Sequence, residues 1–117
     1  MLDGAIIVST PQEIALQDVK RGIRMFDKLK VNIIGLVDNM SYFIGDDGKK
    51  YAIFGEGGVK KTAEEFKKNF LGEIPIDPKV GQQGDLGVPI VEKDQDHQIS
   101  KVYLNFAKNI KDKYLKL

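Results

Sequence analysis

Two short polar residues, Asp38 and Asn39, end an apolar run that begins after Asn32. The run, residues 33–37, is typical of a strand buried on both faces in a parallel sheet. Ligands of open parallel sheets bind at the carboxyl ends of the strands, and a side-chain amide offers both a donor and an acceptor to the edge of a nucleobase. Asn39 is therefore a candidate base-reading residue. The alternative is that Asp38 and Asn39 form only the turn that ends the strand.

Residues 55–62 resemble a phosphate-binding loop but depart from its pattern. The motif G-x-x-x-x-G-K-[ST] needs glycine directly before lysine, and Lys60 occupies that position ahead of Lys61 and Thr62. A side chain there obstructs the curled backbone whose amides face the phosphate. The segment is better interpreted as a flexible turn into a helix, and no other stretch of the sequence matches a phosphate loop.

The remaining polar clusters carry no recognisable chemistry. Asp46-Asp47 and Asp94-Gln95-Asp96 lack the spacing of a calcium loop and are expected to be solvated turns. The single histidine, His97, has no ligand partners at metal-binding spacing and is expected at the surface. The absence of cysteine excludes disulfides, thiolate metal ligands and cysteine nucleophiles.

The elements that position Asn39 follow an alternating pattern. Strands are predicted at Ala5–Ser9, Asn32–Asp38 and Phe70–Ile74. A helix from Thr10 to Lys30 is predicted from a capping box formed by Thr10, Pro11 and Glu13. Its buried stripe is expected to contain Ile14, Val19, Ile23, Phe26 and Leu29. A strand, a helix and a strand in so few residues predict a parallel pair with a right-handed crossover.

The second part of the chain interrupts this alternation with a predicted β-hairpin, in which residues 42–44 and 50–54 flank a Gly45–Gly48 turn. Helices are expected at 59–69 and 99–114. Asp77-Pro78 is expected to open a short helical turn, and residues 81–89 to form a surface loop because they contain three glycines.

Composition favours an ordinary globular protein. With 117 residues, the chain is expected to form one domain, residues 1–117, that includes a hairpin insertion at 41–58. A net charge of +1 gives no general attraction to nucleic acid or to an anionic membrane. No apolar run approaches the length of a membrane helix, and no signal pattern opens the chain. The expected compartment is the cytoplasm.

Five ordered blocks give the sequence a specific resemblance that extends from residue 2 to about residue 91. They are LDGAIIVSTPQ (2–12), DVKRGI (18–23), GLVDNMSYF (35–43), IFGEGG (53–58) and LGEIPIDP (71–78). Together they resemble the carboxyl-terminal half of the Mrp/ApbC family. Members of that family are iron–sulfur cluster carrier ATPases of the MinD/ParA-like branch of P-loop NTPases.

The resemblance implies a partial, Rossmann-like three-layer α/β fold with a mostly parallel sheet and the inserted hairpin. It implies that Asn39 contacts the adenine of ATP and that Pro75, Ile76 and Asp77 pack near the same base. ATP and Mg²⁺ are implied for the complete family protein. In that family the phosphate loop, the switch aspartates and the magnesium ligand precede the segment equivalent to Leu2, so this chain is expected to bind ATP weakly and not to hydrolyse it.

The resemblance also departs from the family at the hairpin. The family usually carries a C-x-x-C between the NMSYF block and the IFG block, whereas this chain has Ile44-Gly45-Asp46-Asp47-Gly48 at the corresponding turn. Iron in a cluster needs sulfur ligands, so cluster binding by this chain is not expected. The family's sheet order implies that the strand Ala5–Ser9 pairs with the phosphate-loop strand, which is expected to be absent here, so that edge is expected to be bare. The chain is then expected to cover the edge by an unusual N-terminal arrangement or by homo-oligomerisation through that edge or the hairpin. The alternative function is a non-enzymatic protein-binding or dimerisation module.

Overall fold

The computed structural model describes residues 2–114. The main sheet consists of β1 (Ala5–Ser9), β2 (Ile33–Asn39) and β5 (Phe70–Ile74), and a separate hairpin consists of β3 (Phe43–Ile44) and β4 (Lys50–Tyr51). The helices are α1 (Glu13–Lys28), α2 (Gly58–Glu65), α3 (Pro78–Asp85), α4 (Ile90–Lys93) and α5 (Gln98–Tyr114). The predicted α/β class and the parallel sheet are confirmed.

The main sheet has the order β1-β2-β5, and both of its strand pairs are parallel. The central strand β2 is buried from Ile33 to Asp38, as its continuous apolar run predicts. The register between β2 and β5 shifts between Leu36 and Val37, so Phe70 pairs with Leu36 and Gly72 pairs with Val37. This bulge gives β5 one extra residue opposite the middle of β2.

Helices cover the two faces of the sheet unequally. On one face, α1 and α2 pack against the strands through a core of Leu16, Val19, Ile23, Ile33, Leu36, Val59 and Ala63. On the opposite face, α5 packs against β5, where a Cβ atom on Gly72 would lie 2.7 Å from Cε1 of Phe106. Because α5 does not extend over β1, Ile6 and Val8 on that face remain exposed, and the exposed fraction of Val8 is 56%.

The hairpin extends from the carboxyl end of β2 and forms its own antiparallel ladder, in which Phe43 pairs with Tyr51 and Ile44 with Lys50. The Tyr51 hydroxyl donates a hydrogen bond to the Asp47 carboxylate, and this bond lowers the pKa of Asp47. Two backbone hydrogen bonds, from Ser41 N to Ile74 O and from Ile76 N to Tyr42 O, join the base of the hairpin to the end of β5.

Helix α1 differs from its predicted form at both its start and its buried face. The helix starts at Glu13 with Gln12 at the N-cap position, and no side chain caps it, so the predicted Thr10 capping box is wrong. The Thr10 hydroxyl is directed instead to the Gln12 side chain, 3.1 Å away. Ile14 is 76% exposed, because Leu16, Val19 and Ile23 define the buried stripe and Ile14 lies on the opposite side of the helix. Leu29, just beyond the helix, is exposed as well.

The segment predicted as a loop at 81–89 is partly helical. The short turn predicted at Asp77-Pro78 continues as α3 to Asp85, and α4 follows after Pro89. Asp77 is the N-cap of α3, as predicted, with its Oδ1 accepting a hydrogen bond from Lys79 N at 2.9 Å. The cap and the proline in the first turn overcome the low helix propensity of Gly81 and Gly84. Helix α2 ends at Glu65, earlier than predicted.

Candidate functional site

A crevice of about 330 Å³ lies at the carboxyl ends of β2 and β5. Its lining residues are Asn39, Met40, Ile74, Pro75, Ile76, Asp77, Pro78, Val80, Gly81 and Tyr103. All four residues predicted as cofactor contacts, Asn39, Pro75, Ile76 and Asp77, therefore lie in one cavity. The carboxyl edge of a parallel sheet is the place where such folds bind ligands.

The end of β2 fixes the position of the Asn39 amide. Asn39 Oδ1 accepts a hydrogen bond from Met40 N at 3.0 Å, and Met40 has a φ of 55°, a conformation that non-glycine residues adopt infrequently. The next residue, Ser41, is held by its backbone bond to Ile74 O. The chain thus turns sharply after Asn39 while the amide stays at the rim of the crevice.

The opposite wall of the crevice comes from the start of α3 and from α5. Asp77 and Pro78 lie at the start of α3, Val80 follows within the first turn, and Tyr103 lines the crevice from α5. A more apolar hollow of about 420 Å³ continues past Val80 and Tyr103 to Pro89 and Ile90. The combined surface presents one amide, one carboxylate and otherwise mostly apolar groups, a composition that suits a planar heterocycle with polar edges.

Asp38, directly before Asn39, is buried and has a perturbed carboxyl group. Only 2% of the residue is exposed. Its Oδ2 accepts a hydrogen bond from the Ser41 hydroxyl at 3.2 Å, whereas its Oδ1 has no partner among the described residues. Burial raises the pKa of Asp38 to about 6, a shift that the Ser41 hydrogen bond opposes and the negative charge of Glu73 reinforces. Asp38 and Asn39 are the last two residues of β2.

His97 is more enclosed than the sequence predicted. Its side chain is 14% exposed, its Nδ1 accepts a hydrogen bond from Ile99 N at 3.1 Å, and its Nε2 lies 3.5 Å from Asp77 Oδ2. Through the bond from Ile99 N, His97 caps α5. The sequence signal for this capping role is the position of His97 just before α5, where an N-cap residue is expected. The contact with Asp77, twenty residues earlier in the chain, depends on tertiary packing.

The glycine-rich segment before α2 packs against α1. A Cβ atom on Gly58 would lie 2.6 Å from Leu16 Cδ1, and one on Gly55 would lie 3.2 Å from Pro11 O. The Thr62 hydroxyl donates to Gly58 O at 2.9 Å and is directed at its own helix. Close packing against Leu16 and Pro11 therefore accounts for glycine at positions 58 and 55.

Cluster ligands are missing from the hairpin and its surroundings. The sequence contains no cysteine, and residues 2–114 contain no group of three or more His, Asp or Glu side chains that could hold a metal ion. Carboxylates at Asp46 and Asp47 are hard oxygen donors, which do not suit an iron–sulfur cluster. The chain's own residues therefore do not fit a cluster at this position.

A profile of the ParA family, described as NUBPL iron-transfer P-loop NTPase, matches residues 1–111. The chain belongs to this family. This agrees with the resemblance to cluster-carrier ATPases that the five sequence blocks carry. No helix within residues 2–114 has the length and apolar character needed to cross a membrane.

Curated relatives of this NUBPL-type chain are much longer than the chain itself. An iron-sulfur cluster carrier protein of Aquifex aeolicus is 44% identical over 108 residues, which are 92% of this chain and 30% of that protein. The iron-sulfur cluster transfer protein NUBPL of Dictyostelium discoideum is 46% identical over 110 residues, which are 93% of this chain and 34% of that protein. The chain spans about a third of the length of these relatives.

Solved structures confirm the fold. A nucleotide-binding protein of Archaeoglobus fulgidus, in complex with ADP, is 35% identical and superposes with a TM-score of 0.66 over 85% of this chain and 40% of that one. The cell division ATPase MinD of Pyrococcus furiosus superposes with a TM-score of 0.71 at 20% identity, over 94% of this chain and 43% of that one. The second similarity supports the fold alone.

Proposed function

We propose that this chain is the adenine-binding portion of a NUBPL-type iron-transfer P-loop NTPase. The observation that carries the proposal is the crevice at the carboxyl edge of the sheet, which gathers Asn39 with Pro75, Ile76 and Asp77. The adenine base enters this crevice, the Asn39 amide reads its polar edge, and the residues after β5 pack beside it. The ADP complex of the Archaeoglobus relative supports a nucleotide as the ligand.

In this proposal the triphosphate is held elsewhere in the complete family protein. Residues 55–62 lack the phosphate-loop pattern, and Thr62 is engaged with its own helix. Backbone amides, a lysine and Mg²⁺ supply most of the affinity for a nucleoside triphosphate. Base contacts alone must offset the entropic cost of association, so we expect this chain to bind adenosine with a Kd on the order of 1 mM.

The complete protein, in this proposal, uses ATP in iron–sulfur cluster assembly or transfer. The names of its relatives, an iron-sulfur cluster carrier protein and an iron-sulfur cluster transfer protein, support the cluster part of this proposal. The hairpin of this chain contributes no cluster ligand, because it has no thiolate. Its role is then a protein contact rather than a metal site.

The proposal is tested by titrating the isotope-labelled chain with adenosine and with magnesium-ATP while recording amide chemical shifts. We expect both ligands to shift the amides of Asn39, Met40, Ile76, Asp77 and Lys79 with similar weak affinities. Asn39→Ala should reduce the shifts, whereas Asn105→Ala, on the exposed side of α5, should leave them unchanged. Micromolar binding of magnesium-ATP would show that this chain binds the phosphates as well as the base. Chemical-shift changes confined to residues outside the crevice would show that the crevice is not the adenine site.

A second candidate function, a dimerisation module, is favoured by the bare edge of the main sheet. Among the described residues β1 pairs only with β2, and a groove of about 440 Å³ beside it is lined by Ile7, Val8, Ala15, Val19 and Phe26 among others. A second copy of the chain pairs antiparallel with this edge in such a dimer, and Val8 of each copy is then covered by the other copy. Such a contact is isologous, so it closes after two copies.

A further inference from the structure

Two helix starts meet beside the crevice. Asp77 caps α3 through Oδ1, and His97 caps α5 through Nδ1, which accepts the hydrogen bond from Ile99 N. The atoms not used for capping, Asp77 Oδ2 and His97 Nε2, lie 3.5 Å apart. Each side chain therefore satisfies its own helix with one atom and faces the other side chain with the second.

The capping bond selects the tautomer of His97. Because Nδ1 accepts a hydrogen bond from a backbone amide, it carries no hydrogen, and the neutral imidazole holds its hydrogen on Nε2. That hydrogen is directed to the side of the ring that faces the Asp77 carboxylate. Since the Asp77 side chain is only 28% exposed, solvent screens this contact less than it would screen a contact between fully exposed groups.

The same two helices form one wall of the crevice. Asp77 lines it at the start of α3, and Tyr103 lines it from α5, six positions after His97. The orientation of Asp77 relative to Asn39, across the crevice, therefore depends on how α5 is held against the start of α3.

We propose that His97 is a positioning residue that holds the Asp77 carboxylate at the rim of the crevice, where the carboxylate accepts a hydrogen bond from an amino group of the bound base. This inference rests on the proposed function, because it needs a base in the crevice. It assigns base selection to a carboxylate: an exocyclic amino group is attracted, whereas a carbonyl oxygen at the same position is repelled. Adenosine is then preferred to inosine, which carries an oxygen in place of that amino group.

The experiment compares His97→Asn, His97→Ala and the neighbouring control Gln98→Ala in the whole chain. Asparagine caps helices well, but its shorter side chain does not span the distance to Asp77, so His97→Asn separates the two roles. We expect His97→Asn to keep the melting temperature near that of the parent, and His97→Ala to lower it because the cap of α5 is lost. Nitrogen-15 spectra of the parent imidazole should show Nδ1 without hydrogen.

Two further readouts decide the proposal. In the absence of ligand, the Lys79 amide proton reports the orientation of Asp77, and its chemical shift should move in His97→Asn and stay unchanged in Gln98→Ala. With ligand, His97→Asn should weaken adenosine binding roughly threefold to tenfold, the loss expected for one hydrogen bond, and should reduce the preference over inosine.

An unmoved Lys79 amide in His97→Asn would overturn the positioning role, and so would an unchanged adenosine affinity despite a moved amide. If the parent chain shows no adenosine shifts in the crevice, the proposed function fails instead. The Lys79 measurement would then still show whether His97 orients Asp77, so the two failures are distinguishable.

Discussion

Asp38 shows how a single side chain can lower the stability of this fold at neutral pH. The carboxyl group is enclosed at the end of the central strand, where one oxygen has a hydrogen-bond donor and the other, within residues 2–114, has none. Burial disfavours the ionised form, and this is why the pKa of Asp38 rises to about 6. In the unfolded chain the group ionises at its ordinary, lower pKa, so the folded state binds a proton more tightly than the unfolded state does.

The free energy of unfolding therefore falls as the pH rises through the pKa of Asp38 in the folded chain. The contribution of Asp38 to the free energy of unfolding is full below about pH 4 and is lost as the pH rises through about 6. Asp38→Asn removes this slope and should raise stability at pH 7.5, by at most roughly 3 kcal/mol. Urea denaturation at a series of pH values measures how the free energy of unfolding of each variant depends on pH. Asp46→Asn, in the exposed hairpin turn, is the control. Equal slopes in the parent and in Asp38→Asn would contradict the assignment.

At the scale of elements, the bulge in β5 determines how closely helix α5 packs against the sheet. Gly72 has a φ of 140°, which residues with a side chain rarely adopt, and the Phe106 ring occupies the space that a Cβ atom would fill. The bulge thus lets α5 approach the sheet closely. The position of α5 in turn sets the crevice wall that Tyr103 contributes.

We expect Gly72→Ala to lower the free energy of unfolding by roughly 2–4 kcal/mol, because it combines backbone strain with overpacking against Phe106. Gly22→Ala is a matched control, since Gly22 lies inside α1 and, beyond its chain neighbours and the adjacent helix backbone, no atom lies within 4 Å of the position of its missing Cβ. That substitution should raise stability by roughly 0.5–1 kcal/mol. Urea unfolding of both variants checks the pair, and a similar effect of the two substitutions would show that the bulge glycine is not required.

The sequence predicted the elements where local chemistry decides the structure. Strands β1 and β2 were recognisable from β-branched runs that end at polar residues, and β5 from its position before Pro75. The Asp77 cap was recognisable from the proline that follows it. Helix α3 was underestimated because Gly81 and Gly84 locally favour a loop, whereas its cap and the packing of its neighbours maintain the helix. The family resemblance brought the crevice residues together, but the contact of His97 with Asp77 arises from helix packing that no short pattern records.

At the scale of the whole molecule, one face of the sheet is incompletely covered. Helix α5 packs over β5 and leaves Ile6 and Val8 of β1 open, beside backbone groups that have no strand partner among the described residues. An apolar edge of this kind favours pairing with another strand. The self-association proposed above would cover both the edge and the exposed face.

We expect the chain to sediment as a dimer at tens of micromolar and Val8→Lys to sediment as a monomer, because a charge on this strand opposes its burial. Leu86→Lys is the control, since it places the same charge on an equally apolar and more exposed residue after α3. Sedimentation velocity distinguishes the species. A monomeric parent chain at that concentration would rule out the edge as a dimer contact.

The hairpin forms a sheet of its own, and within residues 2–114 two backbone hydrogen bonds join its base to the end of β5. Its tip, from Gly45 to Lys49, packs into no part of the buried core. Substitutions within that tip are therefore expected to leave the main sheet undisturbed. The tip of the hairpin and the main sheet can therefore be redesigned separately.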